Sequence, residues 1–165
     1  MVQRYDNVQI TKCTAWSIAK EAFHGLTDKG GYPYLDHLYR VANDIQIYAG
    51  KWPHDHLINA ALIHDIVEDL EDNGWTIVKV SRIFGDRVGR IVDSLTKRAG
   101  ESYDDYLERV KLDPDAVKIK IADLKDNLSI WRLKRKLSVK DVANIKKYNN
   151  AFLYLMDHRY DHLIE

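Results

Sequence analysis

The sequence predicts an all-α fold, and three observations support this. Apolar residues recur three, four or seven positions apart in most segments, which is the periodicity of a helix with one buried face. Only three prolines occur, at positions 33, 53 and 114. The breaks between periodic segments carry glycine, proline or capping residues, as helix ends do. We therefore expect a helical bundle rather than a sheet.

The chain is predicted to form a single domain over residues 1–165. A chain of 165 residues can bury a sizeable core without disulfide or metal support. No internal repeat or domain-sized linker is visible, and the segments with helical motifs extend over roughly 15–155. We expect these segments to share one core.

Charge and composition narrow the possible partners and location. Lys and Arg total 25, as do Asp and Glu, so the formal net charge is zero and favours neither nucleic acid nor an anionic membrane. No apolar run approaches the roughly 20 residues that span a bilayer. Cys13 is the single cysteine, and the N-terminal residues lack the apolar core of a signal peptide. We expect an intracellular, cytoplasmic protein.

The first half of the chain predicts three helices. The first covers about residues 11–23 and stops at the paired glycines of segment 27–31 (TDKGG), because adjacent glycines disfavour helix. The second covers residues 35–49. The third starts near His54 and continues without interruption until Asn73 and Gly74 end it.

Two shorter helices are expected next along the chain. Thr76 can cap a helix that reaches Phe84, because a threonine oxygen accepts a free backbone N–H at a helix start. After Gly85, Asp86 can cap another helix that runs to about Arg98.

The last third of the chain predicts three more helices. Ser102 opens the first of them, and Asp113 is the expected N-cap of the second, with Pro114 in its first turn. Ser138 and Asp141 have the spacing of a capping box, which predicts a terminal helix. The basic segment before it is ambiguous.

The segment 60–70 (AALIHDIVEDL) combines an apolar helical pattern with four ionisable residues. In a continuous helix, residues four apart share a face, so His64 lies next to Glu68 and Asp65 next to Asp69. Carboxylates gathered beside an apolar face repel one another unless they are protonated, paired with cations or bound to a metal. The adjacent histidine favours the metal.

Further ligands must come from other segments. His37 (in PYLDH) and Asp123 (in KIADLKDN) both lie on apolar helical segments, where an unpaired polar side chain is costly. Four such ligands, with water completing the shell, would form an open site of the catalytic kind. Each residue also has a plainer interpretation. His64 and Asp65 could be a solvated or capped pair, and His37 an ordinary histidine at a helix start. Asp123 could be paired with Asn127.

Five segments, taken in order, resemble the HD-domain hydrolases of the RelA/SpoT type. They are 28–37 (DKGGYPYLDH), 60–70, 84–98 (FGDRVGRIVDSLTKR), 100–110 (GESYDDYLERV) and 117–128 (VKIKIADLKDNL). The resemblance implies an HD-domain helical bundle that binds one divalent metal, often manganese, and hydrolyses phosphate esters or anhydrides. The best-known members remove the 3′-pyrophosphate from the alarmone ppGpp.

The resemblance also assigns roles in the reaction. By position, the metal ligands are His37, His64, Asp65 and Asp123. Glu68 and Asp69 match the pair that positions or activates the attacking water.

Other residues are expected to contact the substrate. By the same resemblance, Asn127 lies in the nucleotide site, Lys97 in the wall of the cleft and Tyr103 at its border. Lys29 could neutralise phosphate charge, and the backbone N–H groups of residues 30–31 could assist. For both lysines a plain surface role is the alternative.

The chain departs from the family pattern at three places. An Arg-Lys pair of the family is Asp28-Lys29 here, a histidine aligns with Phe23, and a His-Asn pair is Asp126-Asn127. Because an anion replaces a phosphate-binding cation at position 28, we expect the departures to affect the substrate. On this view Asp28→Arg would raise activity on ppGpp.

The sequence therefore predicts a metal-dependent phosphohydrolase of a small nucleotide, with a ppGpp-like alarmone as the first candidate. Two alternatives remain: a phosphohydrolase of another nucleotide, such as a dNTP or NADPH, and a non-catalytic HD regulator that binds a nucleotide. A pure binder would not need Glu68 and Asp69. The basic run 132–136 is interpreted as a solvated face, and nucleic acid is not an expected partner.

Overall fold

The computed structural model describes residues 14–48 and 55–161. Within these ranges it contains nine α-helices, two short 3₁₀ helices and no strand. The helices are α1 (Thr14–Ala22), α2 (Tyr34–Tyr48), α3 (Asp55–Leu62), α4 (Ile66–Leu70), α5 (Ile77–Phe84), α6 (Asp86–Leu95), α7 (Tyr103–Lys111), α8 (Pro114–Asn127) and α9 (Val139–Asp161). The predicted all-α class is confirmed. The expected first residues of the first and third helices, and the expected end of the second, lie outside the described residues.

Several predicted caps are confirmed. The Thr76 side chain accepts the Lys79 N–H at the start of α5, and the Ser102 side chain accepts the Asp105 N–H at the start of α7. Asp113 caps α8 by accepting two backbone N–H groups, with proline at the first helical position. Ser138 and Asp141 exchange side-chain and backbone hydrogen bonds before α9, as a capping box requires.

The predicted continuous third helix is wrong, because the chain breaks between α3 and α4. Ile63 N–H bonds the Ala60 carbonyl and Ile66 N–H bonds the Ile63 carbonyl, so the ladder tightens to i→i−3 bonds. Asp65 has φ −96° and ψ 0°, in the bridge region rather than the α region. Because of the break, His64 and Asp65 do not lie on the face of one continuous helix.

The limits of α6 also differ from the prediction. Asp86 is the first helical residue rather than the cap, and Gly85 precedes it with φ 88°, a conformation that favours glycine. The helix ends at Leu95 rather than near Arg98, because Thr96 is extended. The Lys97 N–H that follows bonds the Glu68 side chain instead of continuing the helix.

Two helices in the centre of the bundle position the site. Helix α3 packs against α1, α2, α6 and α8, and α8 packs in addition against α7 and α9. One hydrophobic core includes residues from Ala15 to Leu155. The first turn of α2, the α3–α4 break and the second half of α8 meet beside this core. Among the described residues no helix is long and apolar enough to cross a membrane.

Candidate active site

The four residues selected as metal ligands converge in the structure. One ligand atom each from His37, His64 and Asp65 lies within 4.8 Å of the other two. Oδ1 of Asp123 lies 3.4 Å from Nε2 of His37 and 3.8 Å from Nε2 of His64. Three separate parts of the chain thus present two nitrogens and two carboxylates to one point.

His64 shows that this point suits a cation. The side chain is only 1% exposed, and its Nδ1–H donates to the Ala61 carbonyl at 2.9 Å. In the neutral imidazole Nε2 therefore carries the lone pair, and this buried atom makes no hydrogen bond although Asp65 Oδ2 is 3.0 Å away. A lone pair that faces carboxylates is repulsive unless a cation lies between them. The donor set of imidazole and carboxylate fits a divalent metal.

The charges of the cluster shift the pKa values of its members. Burial lowers the pKa of His64, but the charges of Asp65 and Asp123 raise it by more than burial lowers it. The pKa of His64 therefore lies well above its ordinary value. Burial raises the pKa of Asp65, and the positive charge of His64 more than reverses this shift. In the metal-free protein, protons compensate the carboxylates.

Asp126 holds His37 through the ring nitrogen that faces away from the cluster. In the sequence, Asp126 stands out only as a departure from the family pattern. His37 Nδ1 lies 2.7 Å from Asp126 Oδ2, which leaves Nε2 to face Asp123 and Asp65. Asp126 is three residues after Asp123 on α8, a spacing that places both on one helical face. That spacing is the signal that could have identified Asp126.

Asp65 is held by Tyr34, a second residue that the sequence pattern does not single out as functional. The Tyr34 hydroxyl donates to Asp65 Oδ2 at 2.5 Å. Burial, and then the negative charge of Asp65, raise the pKa of Tyr34, so it remains protonated and able to donate. The Tyr34 ring stacks on Phe23 with centroids 5.0 Å apart. Phe23 thus supports the tyrosine that holds a predicted ligand.

Glu68 and Asp69 lie on α4, directly after the break, and both line a cavity of about 370 Å³ that the cluster opens into. Oε2 of Glu68 accepts the Lys97 backbone N–H at 3.0 Å, which fixes the carboxylate. Partial burial, and then the charge of Asp65, raise the pKa of Asp69. One carboxylate is thus anchored and the other is more basic than usual.

Lys29 and Asn127 line the same cavity and are joined to the cluster. Lys29 Nζ donates to Asn127 Oδ1 at 2.9 Å and to the Tyr148 hydroxyl at 2.8 Å. Asn127 Nδ2 in turn donates to Asp123 Oδ1 at 2.5 Å. A chain of hydrogen bonds therefore links Lys29 to a predicted metal ligand.

The structure does not place the side chains of Lys97 and Tyr103 on the described lining of this cavity. Lys97 reaches the site through its backbone N–H, which bonds Glu68. Tyr103 lines a different cavity of about 510 Å³ between α7 and α9. Their roles in substrate binding stay predictions.

The loop before α2 is organised by Asp28. Its Oδ1 accepts the N–H groups of Gly30 at 2.8 Å and Tyr32 at 3.0 Å, and its carbonyl accepts the N–H of Gly31 at 2.9 Å. Gly31 has φ 78°, as this turn requires. The prediction that the N–H groups of residues 30–31 face a phosphate is therefore wrong, because both are used inside the loop.

Two arginines complete the surroundings of Asp28. Its Oδ2 accepts from Arg40 Nη2 at 3.0 Å and from Arg132 Nη1 at 2.6 Å. Burial raises the pKa of Asp28, but the backbone N–H groups and the two guanidinium groups outweigh it and lower the pKa overall. Arg132, from the basic run, thus points inwards rather than to solvent.

The cavity has few free positive charges. Its described lining contains three cations, Lys29, Lys120 and Arg132. Lys120 Nζ donates to Asp123 Oδ2 at 2.7 Å, and Arg132 is paired with Asp28. For Lys29 alone among these three, the structure describes no carboxylate partner.

Comparisons with known proteins agree with the fold and the motifs. A family model described as HD domain matches residues 15–111. A probable GTP pyrophosphokinase from Mycobacterium leprae (strain TN) is 32% identical over 127 residues, which are 72% of this chain and 15% of that protein. A guanosine-3′,5′-bis(diphosphate) 3′-pyrophosphohydrolase from Aquifex aeolicus (strain VF5) is 30% identical over 143 residues, 79% of this chain and 20% of that protein. The matches thus span a fifth or less of these relatives.

A solved structure shares the fold. It is described as a metazoan ortholog of SpoT that hydrolyzes ppGpp and plays a role in starvation responses, and its TM-score is 0.69. The sequences are 19% identical, and the match covers 86% of this chain and 82% of that one.

Proposed function

The chain belongs to the HD-domain family, and on this premise we propose that it is a metal-dependent phosphohydrolase that acts on a small nucleotide. The first candidate is a ppGpp-like alarmone that loses its 3′-pyrophosphate, the reaction named for the Aquifex relative. One observation carries the proposal: the unpartnered Nε2 of buried His64 faces the carboxylate of Asp65, with Glu68 and Asp69 beside the same cavity.

His37, His64, Asp65 and Asp123 would hold one divalent cation. Nitrogen and carboxylate ligands without thiolate suit manganese, which is the proposed ion. When bound, such an ion lowers the pKa of water and polarises a phosphoryl oxygen.

The carboxylates on α4 would handle the proton of the attacking water. A general base works best when its pKa approaches the working pH, and the pKa of Asp69 is raised in that direction. Glu68 is held by the Lys97 N–H, which suits a residue that orients the water. Either residue can accept the proton, and we propose the pair as the catalytic residues.

The substrate phosphates would meet Lys29, whose ammonium group is held at the cavity by Asn127 and Tyr148. Because Lys29 donates to neutral groups there, its positive charge is available to an anion. Asn127 would contact the nucleotide, and Lys97 and Tyr103 remain proposed contacts at the border of the site.

A second candidate substrate is favoured by the shortage of free cations. ppGpp carries two pyrophosphate groups, whereas Lys29 is the one cation of the described cavity lining without a described carboxylate partner. Another nucleotide, such as a dNTP or NADPH, is therefore the alternative. The third candidate is a regulator that binds a nucleotide without hydrolysing it.

One experiment separates the three. The purified protein is incubated with Mn²⁺ and ppGpp, dNTPs or NADPH, and the release of phosphate and pyrophosphate is measured beside an Asp65→Ala variant. We expect metal-dependent turnover of ppGpp that the variant lacks. Turnover of another nucleotide alone would support the second candidate, and nucleotide binding without turnover would identify a regulator.

The proposed setting is the cytoplasm, with a small nucleotide and no nucleic acid or membrane as partner. The single cysteine gives the fold no intramolecular disulfide to maintain. Detection of the protein in fractionated cells tests this, and recovery outside the cytosolic fraction would contradict it.

A further inference from the structure

We propose that Asp126 is a positioning residue that holds His37 for metal binding, and that Asp28, Arg40 and Arg132 hold Asp126 in turn. We call these four residues, Asp28, Arg40, Asp126 and Arg132, the Asp-Arg network. The inference rests on the metal site proposed above. It assigns a joint task to two positions at which the chain departs from the family pattern, Asp28 and Asp126.

The first step is the bond between Asp126 and His37. His37 is 5% exposed and its Nδ1 lies 2.7 Å from Asp126 Oδ2. An imidazole that donates through Nδ1 carries its lone pair on Nε2, and Nε2 is the atom that lies 3.4 Å from Asp123 Oδ1. A carboxylate behind a histidine ligand fixes its tautomer, orients the ring and makes it more basic.

The second step is how two arginines hold Asp126, which is buried. Its Oδ1 accepts from Arg40 Nε at 2.5 Å, and its Oδ2 accepts from Arg132 Nη2 at 2.9 Å. Arg132 also donates to the Asp126 carbonyl at 2.6 Å, so both the side chain and the backbone are fixed.

The third step is the part of Asp28, which contacts both arginines from the loop before α2. Two carboxylates and two guanidinium groups make the network formally neutral, which limits the cost of burying its charges. The same loop carries Lys29 at its tip. The network thus connects the loop that bears the proposed phosphate contact to the helix that bears His37.

Asp126 acts through His37 rather than on the substrate. It does not belong to the described lining of the cavity at the cluster. It lines a separate cavity of about 430 Å³, together with Arg40. Its loss should therefore weaken metal binding and leave the contacts with the nucleotide in place.

The test is Mn²⁺ binding by calorimetry, without substrate, to the full chain and to Asp126→Asn. Asparagine keeps the shape and removes the charge, so we expect affinity to fall by about 10- to 100-fold. At limiting Mn²⁺ kcat should fall while the KM for the nucleotide stays unchanged. Asp44→Asn is the matched control, because Asp44 also joins α2 to α8, through Lys125 at 2.5 Å, two helical turns along α2 from His37. It should bind Mn²⁺ as the wild type does.

Circular dichroism establishes that the variants are folded. If Asp126→Asn does not fold, Asp28→Asn replaces it as the test variant. This substitution removes one charge from the network at the residue that contacts both arginines, and we expect it to lower the Mn²⁺ affinity several-fold. Wild-type affinity in the folded Asp126→Asn, or in Asp28→Asn where that variant replaces it, would overturn the positioning role alone. An equal loss in Asp44→Asn would also overturn it, by showing general loosening between α2 and α8. Absence of Mn²⁺ binding by the wild type would overturn both this role and the proposed function.

Discussion

Asp28 accepts hydrogen bonds from two backbone N–H groups of its own loop and from two arginines. If the carboxylate were removed, the N–H groups of Gly30 and Tyr32 would lose their described acceptor, and an unpaired donor that is shielded from water costs more than a hydrogen bond contributes. Its side chain is only 7% exposed. Asp28 therefore stabilises the loop, and its charge is already compensated before any phosphate arrives.

This environment changes the expected effect of Asp28→Arg. A third guanidinium would lie against Arg40 and Arg132, and the Gly30 and Tyr32 N–H groups would lose their acceptor. We expect lower hydrolysis of every nucleotide in the panel, ppGpp included, and a smaller loss in Asp28→Asn, which keeps an acceptor oxygen. Turnover rates of the three proteins on the same panel are the measurement. Faster ppGpp hydrolysis by Asp28→Arg would restore the view that the anion merely repels phosphate.

For single residues, sequence patterns indicate which side chains are candidates for a site better than they indicate which partners those side chains contact. His64 and Asp65 stand out because charged residues interrupt an apolar helix, and His37 and Asp123 stand out on similar segments. Nothing local marks Arg132, which lies in a run of basic residues typical of a solvated face. Its partner Asp28 is 104 residues away along the chain, so only the folded structure could pair them.

Helix α8 is the element that orders the site. It presents Asp123, Asp126 and Asn127 at spacings of three and four residues, which places them on one face. Its start is fixed by Asp113, which accepts two backbone N–H groups and pairs with Arg87 through both oxygens. The cap thus sets the position of α8, and with it the site.

The Asp113→Ala variant should therefore lower the free energy of unfolding by about 1–2 kcal/mol, because a cap is lost and Arg87 loses its bidentate partner. Urea denaturation followed by circular dichroism measures the change. Asp86→Ala is the comparison: this aspartate also lies at a helix start, but the structure describes no side-chain hydrogen bond for it, so a smaller loss is expected. Equal losses would mean that the charge at the helix start, rather than the cap, provides the stabilisation.

Caps could be predicted from the sequence because each involves a side chain and a backbone group only a few residues apart, as with Thr76 and Ser102. The break between α3 and α4 could not. Ile66, Val67 and Leu70 continue the helical spacing of buried residues across it, so the periodicity gives no sign of an interruption. Asp65 at the break is bonded by the Tyr34 hydroxyl, 31 positions away along the chain, and local periodicity carries no sign of such a contact.

Across the whole molecule, the predicted ligands come from parts of the chain that are far apart. His37 and Asp123 are 86 positions apart, and the break that carries His64 and Asp65 lies between them. In the unfolded chain these groups form no common site, so a metal that binds all four binds the folded state selectively. Metal binding should therefore appear as stability of the whole fold, independently of any substrate.

We expect Mn²⁺ at 100 times its Kd to stabilise the protein by about 2.7 kcal/mol, which raises the Tm of a domain of this size by about 5–11 °C.

The increase in Tm caused by Mn²⁺ should become larger as the pH rises. The pKa of His64 is raised above its ordinary 6.5, so in the metal-free protein the protonated histidine stabilises the fold at low pH, and this contribution is lost as the pH rises through the raised pKa. The metal instead needs the neutral imidazole and gains affinity over the same range. Thermal unfolding with Mn²⁺ or EDTA at several pH values measures both effects, and Asp65→Ala should show little shift. An equal shift in Asp65→Ala would place the bound metal away from this cluster.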